Sequence, residues 1–167
     1  MTPGHDDAAE PLAASLPARV GVAGGVPWLT TLVRLEIALW DRVDGRLRSE
    51  HDLPLAYFEA LWFLAQSTTG LRVGELASAM RITPGGTSKL ADRIVRAGLI
   101  RREADPLDRR VSRLRLTPKG TRRLAAAKVS YESELDTAIA SLDERDRRTL
   151  HRLVTRVLDA QDETVAH

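Results

Sequence analysis

The sequence predicts a mainly α-helical chain with one small two-stranded β ribbon. Three observations carry that expectation. Apolar residues recur at spacings of three and four along most of the chain. The period changes to two only between about residues 99 and 116. The pairs Thr83-Pro84 and Thr117-Pro118 flank that change, each a hydroxyl cap followed by a proline suited to a first helical turn. With 167 residues, 43% hydrophobic and 29% charged, the chain is long enough to bury one real interior.

Residues 1–26 are rich in Ala, Gly, Pro and Asp without a sustained period and are expected to form a flexible tail, with at most a short helix near residues 8–16. From Trp28 to about Ser49, Leu32, Leu35, Leu39, Val43 and Leu47 describe a first helix. Pro54 opens a second helix to about Gln66, with Leu55, Phe58, Leu61, Trp62 and Ala65 inward. An extended stretch at Leu71-Arg72-Val73 leads into a short third helix through Leu76, Ala77 and Met80. Arg81-Ile82-Thr83 is a tight turn, and a fourth helix runs from Pro84 to about Ala97, stopped by Gly98 in a left-handed conformation.

Residues 99–103 and 111–116 then read as two strands joined by Asp105-Pro106-Leu107-Asp108. A long fifth helix follows Thr117-Pro118 to about Ala140. Asp143 caps a sixth, whose stripe is Leu150, Leu153, Val154, Val157 and Leu158.

Several function classes drop out. Without cysteine there is no disulfide scaffold, no thiolate metal site and no thiol nucleophile or redox sensor. The four histidines show no metal-ligand spacing, and neither an HExxH motif nor a Gly-rich phosphate loop occurs. No metal, cofactor or enzyme activity is expected. The N-terminus is acidic where a secretory signal would be basic, and the stretch Val20 to Val33 is interrupted by glycines and Pro27. A soluble, cytoplasmic protein without membrane partners is expected.

The charge is informative once it is divided. The formal net charge is only +2, yet residues 81–124 carry thirteen basic and four acidic groups, a net +9. The rest of the chain is at −7. A basic middle between acidic flanks suits a polyanion, although a solvated arginine-rich face would give the same count. The order helix, tight turn, helix, ribbon adds a geometry. A helix-turn-helix offers the N-terminal half of its second helix to the major groove. On the fourth helix Leu90 and Ile94 should pack inward with Thr87 near the core edge, leaving Gly85, Gly86, Ser88, Lys89 and Arg93 to face DNA together with the cap residues Thr83 and Pro84. The two glycines either permit close backbone approach or ease helix packing, and Arg93 either meets phosphate or pairs with Asp92.

These segments resemble the MarR-type transcriptional regulators, a family of bacterial winged-helix proteins. The resemblance rests on Val73-Gly74-Glu75-Leu76-Ala77, on Thr83 through Ile94, on Gly98-Leu99-Ile100, and above all on Asp105-Pro106-Leu107-Asp108-Arg109-Arg110 running into Leu114-Arg115-Leu116-Thr117-Pro118-Lys119-Gly120. It covers about three quarters of the chain. It implies a winged helix-turn-helix core with a two-stranded β wing, plus N- and C-terminal dimerisation helices. The corresponding division is a tail at 1–26, a dimerisation helix at 27–52, a DNA-binding domain at 53–117 and C-terminal dimerisation helices at 118–167. By the same resemblance Arg110 enters the minor groove while Asp108 braces the turn and Arg109 adds charge. The apolar stripes with Leu32, Leu35, Leu150, Leu153 and Val157 have nowhere to bury in a lone lobe, and the family interleaves such helices in a homodimer.

The expected function is sequence-specific binding of double-stranded DNA at a near-palindromic operator, as a dimeric repressor released by a small aromatic or lipophilic, anionic effector. Trp40, His51, Tyr57 and Trp62 are the candidate effector contacts, though core packing accounts for each of them as well. The alternative is a winged-helix protein that acts through protein–protein contacts, or as an activator, without an effector.

Overall fold

The computed structural model describes residues 26–105 and 111–165. The tail and the wing tip with Asp108, Arg109 and Arg110 therefore lie outside the described residues. The elements run α1 (Val26–His51), α2 (Leu55–Ala65), β1 (Leu71–Arg72), α3 (Val73–Met80), α4 (Pro84–Arg96), β2 (Ile100–Ala104), β3 (Ser112–Leu116), α5 (Pro118–Ala138) and α6 (Glu144–Val165). The chain divides into two units, residues 1–36 and residues 37–167. Of the first, the opening turns of α1 are described, and there Trp28, Leu29, Leu32, Val33 and Leu35 are exposed.

Within the second unit, one apolar cluster joins Val43 and Leu47 of α1 to Phe58, Leu61 and Leu64 of α2. Leu76 of α3, Ile94 of α4, Ile100 and Leu114 of the sheet, and Leu124 and Ala127 of α5 complete it. Helices α2 and α5 also meet through Phe58 and Tyr131, whose rings stack at 4.7 Å. The end of α1 is tied to α5 by polar bonds. Arg42 and Arg46 both bind Glu134, at 2.7 and 3.2 Å, and hold its carboxyl below the ordinary carboxylate range. The Ser130 hydroxyl donates to Glu50 and lies 2.8 Å from His51 Nε2.

The ribbon is larger than expected. β1, read from sequence as a mere extended stretch, pairs with β3, so the sheet has three antiparallel strands in the order β1-β3-β2. Two residues are too short for any periodicity to declare a strand, and the pairing comes from tertiary proximity. Pro54 serves as the N-cap of α2 rather than its first residue, and α5 ends two residues early, at Ala138.

Two close contacts fix the lobe. Thr117 caps α5, its hydroxyl accepting from Gly120 N at 3.0 Å and donating to the carbonyls of Gly98 and Leu99. At Gly120 the backbone passes so near the Leu99 carbonyl that a Cβ would sit 2.0 Å from its oxygen. Asp105, 1% exposed, closes the base of the ribbon. Its Oδ2 accepts from Arg72 at 2.8 Å and from Arg113 at 2.9 Å, and its N–H donates to Val111 O.

Two outcomes follow for denaturant unfolding. Gly120→Ala should lose about 1–3 kcal/mol, because backbone rather than a flexible side chain must yield. Asp105→Ala should lose about 2–3 kcal/mol by removing the buried carboxylate that Arg72 and Arg113 share, solvent and Glu75 taking up part of the freed charge. Wild-type stability in either variant would contradict the corresponding contact.

Candidate nucleic-acid interface

The turn between α3 and α4 is set by Arg81, whose φ of 53° places a non-glycine residue in the left-handed region at the end of α3. Thr83 then starts α4. Its hydroxyl accepts from Gly86 N at 3.1 Å, and its carbonyl accepts from both the N–H and the hydroxyl of Thr87. Thr87, Ala91 and Ile94 form the buried face, a spacing of four and three. Thr87 is fully buried rather than at the core edge, since its hydroxyl is satisfied within the helix turn.

The opposite face of α4 is open. Thr83, Pro84, Gly85, Gly86, Lys89 and Arg93 are exposed, and Lys89 and Arg93, four apart, share one side. Ser88 departs from expectation. It is half-buried, because one residue of helical rotation leaves it at the margin of the Thr87 face. Nothing lies within 4 Å of a Cβ built at Gly85, and one at Gly86 meets only the Thr83 hydroxyl at 3.1 Å. Close helix packing among the described residues therefore does not explain Gly85.

The three described acids of the basic segment, Asp92, Glu103 and Asp105, are engaged away from this face. Asp92 pairs with Arg102 of β2 at 2.8 Å, not with Arg93. Glu103 binds Arg101 and Arg115, and the Arg101 hydrogen bond is the main reason its carboxyl titrates below the ordinary range. Asp105 takes Arg72 and Arg113. The strand arginines are thus largely neutralised locally. Among the described residues no carboxylate pairs with Lys89, Arg93, Arg96, Lys119, Arg122 or Arg123. Lys119 instead donates to Ala97 O at 2.8 Å and Arg123 to His51 O.

Asp105 escaped the sequence analysis as anything but a turn residue, because its partners lie 33 and 8 residues away.

The effector candidates do not converge. Trp62 lines a cavity of about 270 Å³ between α2 and α5. His51 borders a separate, open cleft of about 540 Å³ beside Arg48, Lys119 and Arg122. Its ring is already bonded to Ser130, so it reads as satisfied structure. Tyr57 packs half-buried against the core, and Trp40, on α1, lines neither cavity. Sequence reasoning missed Glu59 and Tyr131 in the α2–α5 cavity, since neither belongs to a recognisable spacing. No group of three or more His, Asp or Glu among the described residues could hold a metal ion. No described helix is long and apolar enough to cross a membrane.

Comparison with known proteins bears on this arrangement. A model of the MarR family matches residues 51–111. A Thauera aromatica protein described as a transcriptional regulatory protein for the hcr operon is 32% identical over 98 residues, 59% of each chain. The HTH-type transcriptional regulator YsmB of Bacillus subtilis is 31% identical over 91 residues, 50% of this chain and 62% of its own. The chain thus spans about six tenths of the length of the curated relatives it matches. Among solved structures, a MarR family transcriptional regulator of Streptomyces coelicolor in complex with DNA superposes with a TM-score of 0.74 at 25% identity. That match covers 81% of this chain and 89% of the other. A mutant MarR of E. coli complexed with operator DNA gives 0.74 at 20% identity, over 80% and 94%. The family match spans α2, the helix-turn-helix and β2 up to residue 111, somewhat over a third of the chain, and the fold shared with the Streptomyces coelicolor structure continues on both sides of it: residues 51–111 are similar to the MarR family of transcriptional regulators.

Proposed function

We propose that this chain is a sequence-specific regulator that binds double-stranded DNA as a homodimer, with α4 as the recognition helix. The observation that carries this reading is the open face of α4. Two cations without carboxylate partners among the described residues, Lys89 and Arg93, stand on it beside two exposed glycines, while the other face is locked into the core. Lys and Arg so placed neutralise phosphates or reach base edges, and glycines let the backbone come close. Arg96, Arg122 and the wing residues Arg109 and Arg110 extend the positive surface in this reading, with Arg110 in the minor groove and Asp108 bracing it.

The dimer accounts for the two unpartnered stripes. Leu32 and Leu35 on α1 are exposed, as are Leu150, Leu153 and Val157 on α6 at 40–49%. A partner copy would remove these side chains from water, and two-fold symmetry would present paired α4 helices to a near-palindromic operator with half-sites about 10 base pairs apart. Repression is the simplest output, since it needs only occupancy of a promoter. A small aromatic or lipophilic effector would release DNA by binding better to a dimer whose α4 helices no longer match the groove spacing.

An operator fragment selected from the host genome provides the test. Lys89→Ala should weaken binding by about 1 kcal/mol and reduce the slope of log affinity against log salt by about one, with the fold unchanged. Equal slopes for variant and wild type would remove Lys89 from the interface. Gly85→Ala should raise stability by about 0.5 kcal/mol through reduced chain entropy, yet weaken operator binding. Unchanged operator affinity in that variant would show that the backbone there does not approach DNA.

A further inference from the structure

The leading end of α4 is short of the side chains that usually read base edges. Between Arg81 and Lys89 the chain runs Ile82-Thr83-Pro84-Gly85-Gly86-Thr87-Ser88, with no Arg, Lys, Asn, Gln, His, Asp or Glu. No side chain in that run can make a bidentate hydrogen-bonded contact to a base. Its hydroxyls are largely committed as well. The Thr83 hydroxyl accepts from Gly86 N at 3.1 Å, and Thr87, fully buried, donates to Thr83 O at 3.0 Å. Ser88 is half-buried at the margin of the core face.

What the segment does offer is apolar. Ile82 is 41% exposed, and Pro84, Gly85 and Gly86 beside it are exposed too. Ile82 lies outside the core cluster, yet its backbone is held, because its N–H donates to Ala77 O at 3.1 Å across the turn. Branching at Cβ leaves its side chain few rotamers. A stiff aliphatic group on a fixed backbone thus stands one residue ahead of the Thr83 cap.

We infer that Ile82 is a specificity-determining residue that packs against the C5-methyl group of a thymine in the major groove. The inference rests on the reading of α4 as the recognition helix and names a base that its leading end selects. The thymine methyl is the one apolar group that a base edge presents in that groove. Cytosine and uracil carry only a hydrogen at that carbon and give Ile82 no methyl surface to remove from water. Without side chains at Gly85 and Gly86, the base edge can come close enough for the contact.

The test uses the wild-type chain and an operator fragment selected from the host genome, with its thymines replaced one at a time by deoxyuridine. The replacement removes a methyl and leaves base pairing and phosphate charge unchanged. At one thymine in a half-site it should weaken binding about fourfold, the worth of one buried methyl. Ile82→Ala should bind the unmodified fragment more weakly and distinguish thymine from uracil at that position by less than about twofold. Its slope of log affinity against log salt should equal that of the wild type, because no phosphate contact is lost, whereas a displaced α4 would lower it. Ile82→Val, which keeps the branched Cβ, should retain most of the uracil penalty. No thymine sensitive to uracil, a full uracil penalty in Ile82→Ala, or a lowered salt slope in that variant would overturn the inference. Lys89→Ala separates it from the reading beneath. A lowered slope in Lys89→Ala without any uracil effect defeats the Ile82 contact alone, and an unchanged slope defeats α4 as the interface and this contact with it.

Discussion

The C-terminal end of α4 is held by the first turn of α5, and the rest of the site depends on that joint. The last carbonyls of a helix have no partners of their own. Here Ala97 O receives Lys119 Nζ, Gly98 O receives the Thr117 hydroxyl, and Leu99 O receives the Thr117 N–H. Gly98, at φ +71°, lets the chain turn into β2, and Gly120 lets α5 approach the Leu99 carbonyl directly. The helix proposed to read DNA is thereby fixed to the helix that lines the α2–α5 cavity. A ligand that shifts α5 relative to α2 would carry α4 with it, which is the physical link the proposed regulation requires.

Charge is organised by the same economy of contacts. The +9 of residues 81–124 is not spread evenly over the surface. On the ribbon, Arg101, Arg102, Arg113 and Arg115 are matched by Glu103, Asp92 and Asp105, so these arginines brace the sheet. On α4 and the start of α5 the cations keep no carboxylate among the described residues. Local neutralisation of the strands therefore concentrates the unbalanced positive charge beside the helix-turn-helix, where a phosphate backbone would use it.

Much of this was legible from sequence, for identifiable reasons. The six helices announce themselves through apolar stripes and through Thr83-Pro84, Thr117-Pro118 and Asp143 at their starts, all local signals. The open face of α4 follows from the same periodicity. What sequence did not reveal depends on distant residues meeting: the third strand, the burial of Asp105 between Arg72 and Arg113, and Glu59 among aromatic rings contributed by two helices. Arg93 shows the limit most simply. Its neighbour Asp92 looked like a partner in sequence, yet helical rotation and the nearby β2 strand give that carboxylate to Arg102.

The claim that α4 is the surface that meets DNA is open to a direct measurement. The absence of cysteine means that Lys89→Cys or Arg145→Cys, both at exposed positions, supplies a single thiol for a photoactivatable crosslinker. With a selected operator fragment, the label at position 89 on α4 should crosslink to DNA, and the label at position 145 on α6 should not. Crosslinking from α6 with none from α4 would contradict the account.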